Sequence, residues 1–177
     1  METKNYFVKQ KLERAAWEMV SLEFPWTEEL LEKWQDKVNW KTVSGNPSIK
    51  WTPAILDKFK EKIDWSELSA LGQKSVVTFE NLERFEAYWD WKELSRNFNV
   101  DWNIELLERF IDKWNWSNLD DNLAFFMLSE RSYNLFNDEF FEKVKKYVPD
   151  SDVKESVFWD NLVEKRRRDL FSVILSD

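Results

Sequence analysis

Apolar positions in this chain recur in blocks. Four stretches, "WTEELLEKWQDKVNWKTVS" from Trp26, "WTPAILDKFKEKIDWSELS" from Trp51, "VTFENLERFEAYWDWKELS" from Val77 and "WNIELLERFIDKWNWSNLD" from Trp102, align without a gap. A fifth, "FNDEFFEKVKKYV" from Phe136, matches the first thirteen positions, and the N-terminal "VKQKLERAAWEMVS" matches the later part. Leu31, Leu56, Leu82, Leu107 and Phe141 share one column. Trp34, Phe59, Phe85, Phe110 and Val144 follow three residues on, and Val38, Ile63, Trp89, Trp114 and Val148 four further. That spacing puts all three columns on one face of a helix of about three to four turns. Trp17, Trp40, Trp65, Trp91 and Trp116 recur at intervals of 23, 25, 26 and 25 residues, a period of about 25.

Polar positions mark the ends of these helices. Thr27, Thr52, Thr78, Asn103 and Asn137 occupy one column, and their side chains suit a helix N-cap. Pro53 falls at the first helical position, where its missing N–H costs nothing. The residue before each cap (Trp26, Trp51, Val77, Trp102, Phe136) and the Leu column form the spacing of a hydrophobic staple. Asn39, Asp64, Asp90 and Asn115 then read as caps of a second, shorter helical segment. It carries the Trp column and Val43, Leu68, Leu94 and Leu119. The Ser-x-Asn elements at 44–46 and 95–97, with Asp for Ser at 120–122, read as local side-chain caps in the connectors.

A unit of this kind cannot bury its apolar face alone and must stack on its neighbours. The expectation is therefore all-α: an α-solenoid of about five to six helical repeats of about 25 residues, with a helical C-terminal cap. Residues 1–177 form one domain in this reading. It comprises a partial repeat (1–25), four full repeats (26–122), an apolar insert plus partial repeat (123–148) and a capping helix (149–177). Asp150, Ser151 or Asp152 would start that helix, and Val153, Val157, Leu162, Val163, Leu170 and Ile174 would face the stack.

The pattern W-x-x-L-S-x-N … W-[ST]-x-E-L-[LI]-x-K-F-x-D-K-W-[DN]-W, carried by residues 17–148, resembles Trp-rich tandem-repeat proteins of bacteria and large DNA viruses. The resemblance implies a modular α-repeat and brings no activity with it. By analogy, alternating α and short 3₁₀ helices at this period resemble the leucine-rich-variant solenoid.

Composition narrows the chemistry. Twelve Trp and fourteen Phe in 177 residues far exceed an ordinary domain, and their place in apolar columns makes them core rather than an aromatic cage. No His and no Cys remove the common nucleophile–base arrangements, thiolate metal sites and disulfides. Two isolated glycines, Gly45 and Gly72, build no phosphate-binding loop. A carboxylate pair is the remaining catalytic option, but Asp36, Asp112, Asp120 and Asp121 fall in repeat columns or charged connectors, whereas a catalytic residue should be singular. The "LDDN" run at 119–122 lacks the order of a calcium loop. No enzyme activity, cofactor or metal is expected.

Net charge is −8, which disfavours nucleic acid and anionic lipid as partners. The N-terminal stretch lacks a continuous apolar run, and no apolar run is long enough to span a bilayer; with the missing cysteines, this predicts a cytoplasmic protein. The charged columns Glu32, Asp57, Glu83, Glu108, Glu142 and Lys33, Lys58, Arg84, Arg109, Lys143 predict an acidic stripe beside a basic one, serving solubility and register. Candidate interaction patches are the basic cluster Arg166, Arg167, Arg168 and the aromatic side chains Phe125, Phe126 and Tyr133 of the insert. The functional expectation is a non-catalytic protein-binding module for a basic partner, of the inhibitor or immunity type. A homo-oligomerising scaffold and a carboxylate-dependent hydrolase are the alternatives.

Overall fold

The computed structural model describes residues 2–120, 122, 138–148, 150, 153–155 and 158–176. Every regular element among them is helical, so the chain is all-α. It divides into two compact units, Met1–Asp90 and Trp91–Asp177. The first holds α1 (Glu2–Glu23), α2 (Glu28–Trp34), α3 (Trp40–Ser44), α4 (Pro53–Phe59), α5 (Trp65–Leu71) and α6 (Phe79–Arg84). The second holds α7 (Trp91–Leu94), α8 (Ile104–Arg109), α9 (Trp116–Asp120) and α10 (Asp138–Val144), which a 3₁₀ turn, Lys145–Tyr147, continues. A further 3₁₀ turn, Val153–Glu155, precedes α11 (Trp159–Ser176).

Helix starts follow the sequence. The side chains of Thr27, Thr52, Thr78 and Asn103 accept hydrogen bonds from the backbone N–H of Leu30, Ile55, Asn81 and Leu106 at 3.4, 3.3, 3.3 and 2.9 Å. Each satisfies an amide that the first helical turn leaves without a partner. The Glu29 carboxyl lies below its ordinary range, held there first by its own backbone N–H and then by the Thr27 hydroxyl. Asn39 and Asp64 cap α3 and α5 in the same way, accepting from Thr42 N and Glu67 N at 3.2 and 3.0 Å. Asn137 lies outside the described residues.

Helix ends do not follow it. The apolar columns predict helices of three to four turns, yet α2, α4, α6 and α8 are six or seven residues long. After α2 and α4 the chain tightens into a turn, with the amides of Lys37 and Val38 both on the Trp34 carbonyl and those of Lys62 and Ile63 both on that of Phe59, and the ladder stops at the next residue. In a continuous helix Asn39 N–H would bond the Gln35 carbonyl, Asp64 N–H that of Lys60, and Asn115 N–H that of Ile111. Instead the carbonyls of Gln35, Lys60 and Ile111 accept from the indole Nε1 of Trp40, Trp65 and Trp116 at 2.9, 2.8 and 3.0 Å. The freed amides of Asn39, Asp64 and Asn115 each donate to a serine Oγ about twenty residues earlier, Ser21, Ser44 and Ser95, all at 2.9 Å. Asp90 N–H donates to Ser69 Oγ at 3.0 Å. Both halves of the broken bond are thus satisfied by side chains, so the chain turns into the next short helix with no orphaned backbone group there.

The serines are buried and use both capacities of the hydroxyl. Ser21, Ser44 and Ser95 donate to the carbonyls of Trp17, Trp40 and Trp91 four residues back, at 2.6, 2.7 and 2.7 Å. Buried asparagines work beside them. Asn46 Nδ2 donates to the carbonyls of Ser21 and Phe24, both at 2.9 Å, while its Oδ1 accepts from Ser48 N at 2.7 Å. In the second unit Asn122 Nδ2 donates to Ser95 and Asn97 carbonyls at 3.1 and 3.2 Å. The expected local cap is present at Asn46, but the longer-range bonds to the preceding repeat accompany it. In the repeat whose connector carries no such Asn, Gln73 Nε2 donates to the Pro47 carbonyl at 2.7 Å. Gly72, which closes α5, is required by space: a Cβ there would lie 2.4 Å from the Leu68 carbonyl oxygen.

The aromatic columns form the core. Trp26, Trp51, Trp89, Trp102, Trp114 and Trp116 are buried; the other indoles are half-buried except Trp34, at 36% exposure. Rings of one repeat meet rings of the next. Trp17 lies 5.5 Å from Trp34, Trp40 5.1 Å from Phe59 and Trp65 5.6 Å from Phe85; in the second unit Trp91 lies 4.8 Å from Phe110. A buried ring of this size removes roughly 150–250 Å² from water, which lets two-turn helices hold together.

The C-terminal helix departs from expectation. It starts at Trp159, well after Pro149, because Phe158 is drawn inward: it is buried, 5.4 Å from the Phe141 ring and 5.9 Å from that of Phe140. Val163, Leu170 and Ile174, expected to face the stack, are exposed. Ser151, Asp152 and Val157 lie outside the described residues.

Candidate functional site

The outer surface of each unit carries the charged columns as a ladder rather than two separate stripes. Lys58 Nζ on α4 reaches back to Glu32 at 2.8 Å and Glu28 at 3.0 Å on α2. Arg84 on α6 pairs with Asp57 on α4, and in the second unit Lys143 on α10 pairs with Glu108 on α8 at 2.6 Å. The basic member also covers the aromatic residue that follows it. Lys33, Lys58, Arg84 and Arg109 sit 5.5, 5.8, 5.7 and 4.8 Å from the ring centroids of Trp34, Phe59, Phe85 and Phe110. Each stem thereby shields the core while its charge stays in water.

These pairs shift protons in the expected sense. The Lys58 ammonium is raised above its ordinary value, first by its hydrogen bond to Glu32 and then by that to Glu28. Glu108 raises Lys143, and Glu61, which accepts from the Tyr88 hydroxyl at 2.8 Å, raises that phenol. None of this prepares an acid or base for catalysis near neutral pH. Asp36 is exposed, 3.7 Å from Lys62 Nζ, and Asp112 is exposed too. Asn122 of the "LDDN" run is spent on backbone carbonyls, and Asp121 lies outside the described residues. Among the described residues no group of three or more His, Cys, Asp or Glu side chains is placed to hold a metal.

Two open grooves adjoin the ladder. One, of about 470 Å³, runs between α1 and the α2–α3 turn, with Gln10, Arg14 and Trp17 on one wall and Asp36, Lys37 and Asn39 on the other. The second, of about 490 Å³, lies between α8 and α10 and is lined by Glu108, Ile111, Glu142, Lys143, Lys146 and Tyr147. Both have mixed charge and no convergent set of buried polar groups.

The basic cluster lies on α11 and is exposed. Arg167 is engaged: its Nε and Nη2 donate to the two oxygens of Glu164 at 2.8 and 2.7 Å, and its guanidinium lies 5.3 Å from the Phe171 ring. That fork lowers the Glu164 carboxyl and raises the Arg167 guanidinium. Arg168 Nε approaches the same carboxylate at 3.9 Å, and Arg166 is exposed. One carboxylate thus offsets part of the charge, and the cluster presents less than three full cations to a partner. Phe125, Phe126 and Tyr133 lie outside the described residues. Among the described residues no helix is long and apolar enough to cross a membrane.

Sequence reasoning missed the apolar residues displayed on α1: Val8, Leu12, Met19 and Leu22 are exposed. The signal was available, since with Ala15 they recur at spacings of four, three, four and three residues. Comparison of the chain with protein-family models, curated proteins and solved structures finds no match.

Proposed function

We propose that this chain is a non-catalytic protein-binding module, an α-solenoid of about five to six repeats that offers an acidic face to a basic protein. The observation that carries this reading is the balance of the outer ladder. Lys58, Arg84 and Lys143 of the basic column are tied to carboxylates of the neighbouring helix, Lys58 to two of them, in a chain whose net charge is −8. The surplus on such a surface is negative, which steers a cationic partner and repels phosphate backbones. Open grooves of mixed charge favour occlusion of a partner over turnover of a substrate. An inhibitor-like or immunity-type role in the cytoplasm is the form such a module takes. The test is affinity capture from native lysate at low salt, eluted with rising salt and read by mass spectrometry. A basic protein that elutes with salt supports the proposal. Recovery of none at low salt overturns it.

A further inference from the structure

Helix α1 has two faces, and only one is used. Successive residues of a helix turn by about 100°, so Gln10, Arg14, Trp17 and Ser21 share one side. That side meets the first repeat: Trp17 stacks on Trp34 at 5.5 Å, Ser21 Oγ accepts from Asn39 N at 2.9 Å, and Gln10 and Arg14 line the groove above residues 36–39. On the opposite side lie Val8, Leu12, Ala15, Met19 and Leu22. Their four–three spacing is that of a coiled-coil seam. Leu12 is 65% exposed and Met19 61%, with Val8 and Leu22 also open. A regular apolar seam about four turns long, directed away from the body of its own unit, is costly in water and fits another helix.

Charge identifies that helix. Lys9 and Lys11 flank the N-terminal half of the seam, and Glu18 and Glu23 flank the C-terminal half. A second α1 running antiparallel sets Val8 against Met19 of the other copy and Leu12 against its Ala15. Lys11 then faces Glu18 of the other copy, and Lys9 lies toward its Glu23. A parallel pair would bring Glu18 against Glu23 of the other copy, like against like. We infer that the exposed seam of α1 is an isologous interface on which two copies of this chain pair antiparallel through Val8, Leu12, Ala15, Met19 and Leu22. This interface stands apart from the binding face proposed above. It uses residues that touch nothing in the ladder and needs no partner of other chemistry.

Sedimentation velocity from about 1 µM to about 1 mM, the range of weak to moderate association, tests the pairing. The wild type should pass from monomer to dimer as concentration rises. The Leu12→Glu, Met19→Glu double variant should remain monomeric throughout, with the helical circular dichroism and melting temperature of the wild type at concentrations where the wild type is monomeric, since neither side chain supports its own fold. Lys11→Glu or Glu18→Lys alone should weaken the dimer about tenfold, and the two together in one chain should restore it. Orientation is read by disulfide formation, which the cysteine-free chain reports cleanly. Val8→Cys mixed with Met19→Cys should cross-link, whereas Met19→Cys alone should not. A wild type that stays monomeric across the range, a dimer that survives the double Glu variant, or Met19→Cys linking to itself would each overturn the proposal. So would a seam that becomes protected only when a different protein is added.

Discussion

The inner seam of Ser21, Ser44, Ser69 and Ser95 and the outer ladder of Lys58, Arg84 and Lys143 are equally regular in sequence, yet they do different physical work. Both link a side chain of one repeat to a group of the next. The serines and their partners Asn46 and Asn122 are buried, and each bond satisfies a backbone group in a buried or half-buried setting. The ladder is exposed, and its ions keep their hydration when a pair breaks. Periodicity alone therefore does not rank interactions. What ranks them is the cost of leaving the partner alone, which is high for a buried amide and low for a solvated ion.

Substitutions should separate the two regions in a definite order. Asn46→Leu should be the most damaging, because it strands the carbonyls of Ser21 and Phe24 and the Ser48 amide together; we expect a loss of about 3 kcal/mol in urea unfolding. Ser44→Ala should cost about 2 kcal/mol by orphaning the Asp64 amide. Trp65→Phe removes the indole N–H from the Lys60 carbonyl and shrinks the ring, so a loss of about 1 kcal/mol from the bond, plus the lost packing, is expected by the same measurement. Trp114→Phe is the contrasting case. Its Nε1 is buried with no hydrogen-bond partner, so the urea midpoint should fall only by what the smaller ring loses in packing, with no hydrogen bond given up.

Lys58→Met should have the smallest effect. Lys58 is raised by Glu32 and Glu28, so what the pairing contributes is present below the unfolded ammonium value of 10.5 and is lost as pH rises through the higher folded value. Any difference in melting temperature between wild type and this variant should therefore be seen at neutral pH and low salt, and vanish at strongly alkaline pH or about 1 M salt. A variant as damaging at neutral pH as Ser44→Ala would erase the distinction between the regions.

What was legible in the sequence was what depends on local chemistry. Thr27, Thr52, Thr78 and Asn103 cap helices because a hydroxyl or amide next to a bare helical N–H needs nothing from afar. The aromatic columns entered the core because apolar spacing and burial are two readings of one pattern. The breaks themselves were legible, since Asn39 and Asp64 read as caps of a second segment and cap it; the side-chain bonds that hold them were not. Trp40 and Trp65 read as apolar, yet their N–H groups take the carbonyls of Gln35 and Lys60 that the interrupted ladder leaves; Ser21 and Ser44 give no sign that they accept an amide of the next repeat. Those bonds exist only once neighbouring repeats are together, so a pattern read along the chain shows where a helix stops but not what holds the stop. The exposed seam of α1 was visible as spacing, but exposure depends on what packs against the other face, which spacing does not contain.

The split helical bond is the centre of this account, and native-state hydrogen exchange of the Asp64 amide tests it most directly. The account predicts slow exchange in the wild type, close to the limit set by global unfolding, and a selective loss of protection at Asp64 in Ser44→Ala while the interior amides of α4 remain protected. An Asp64 amide that exchanges in the wild type as fast as an exposed turn, or one whose protection survives loss of the Ser44 hydroxyl, would contradict it.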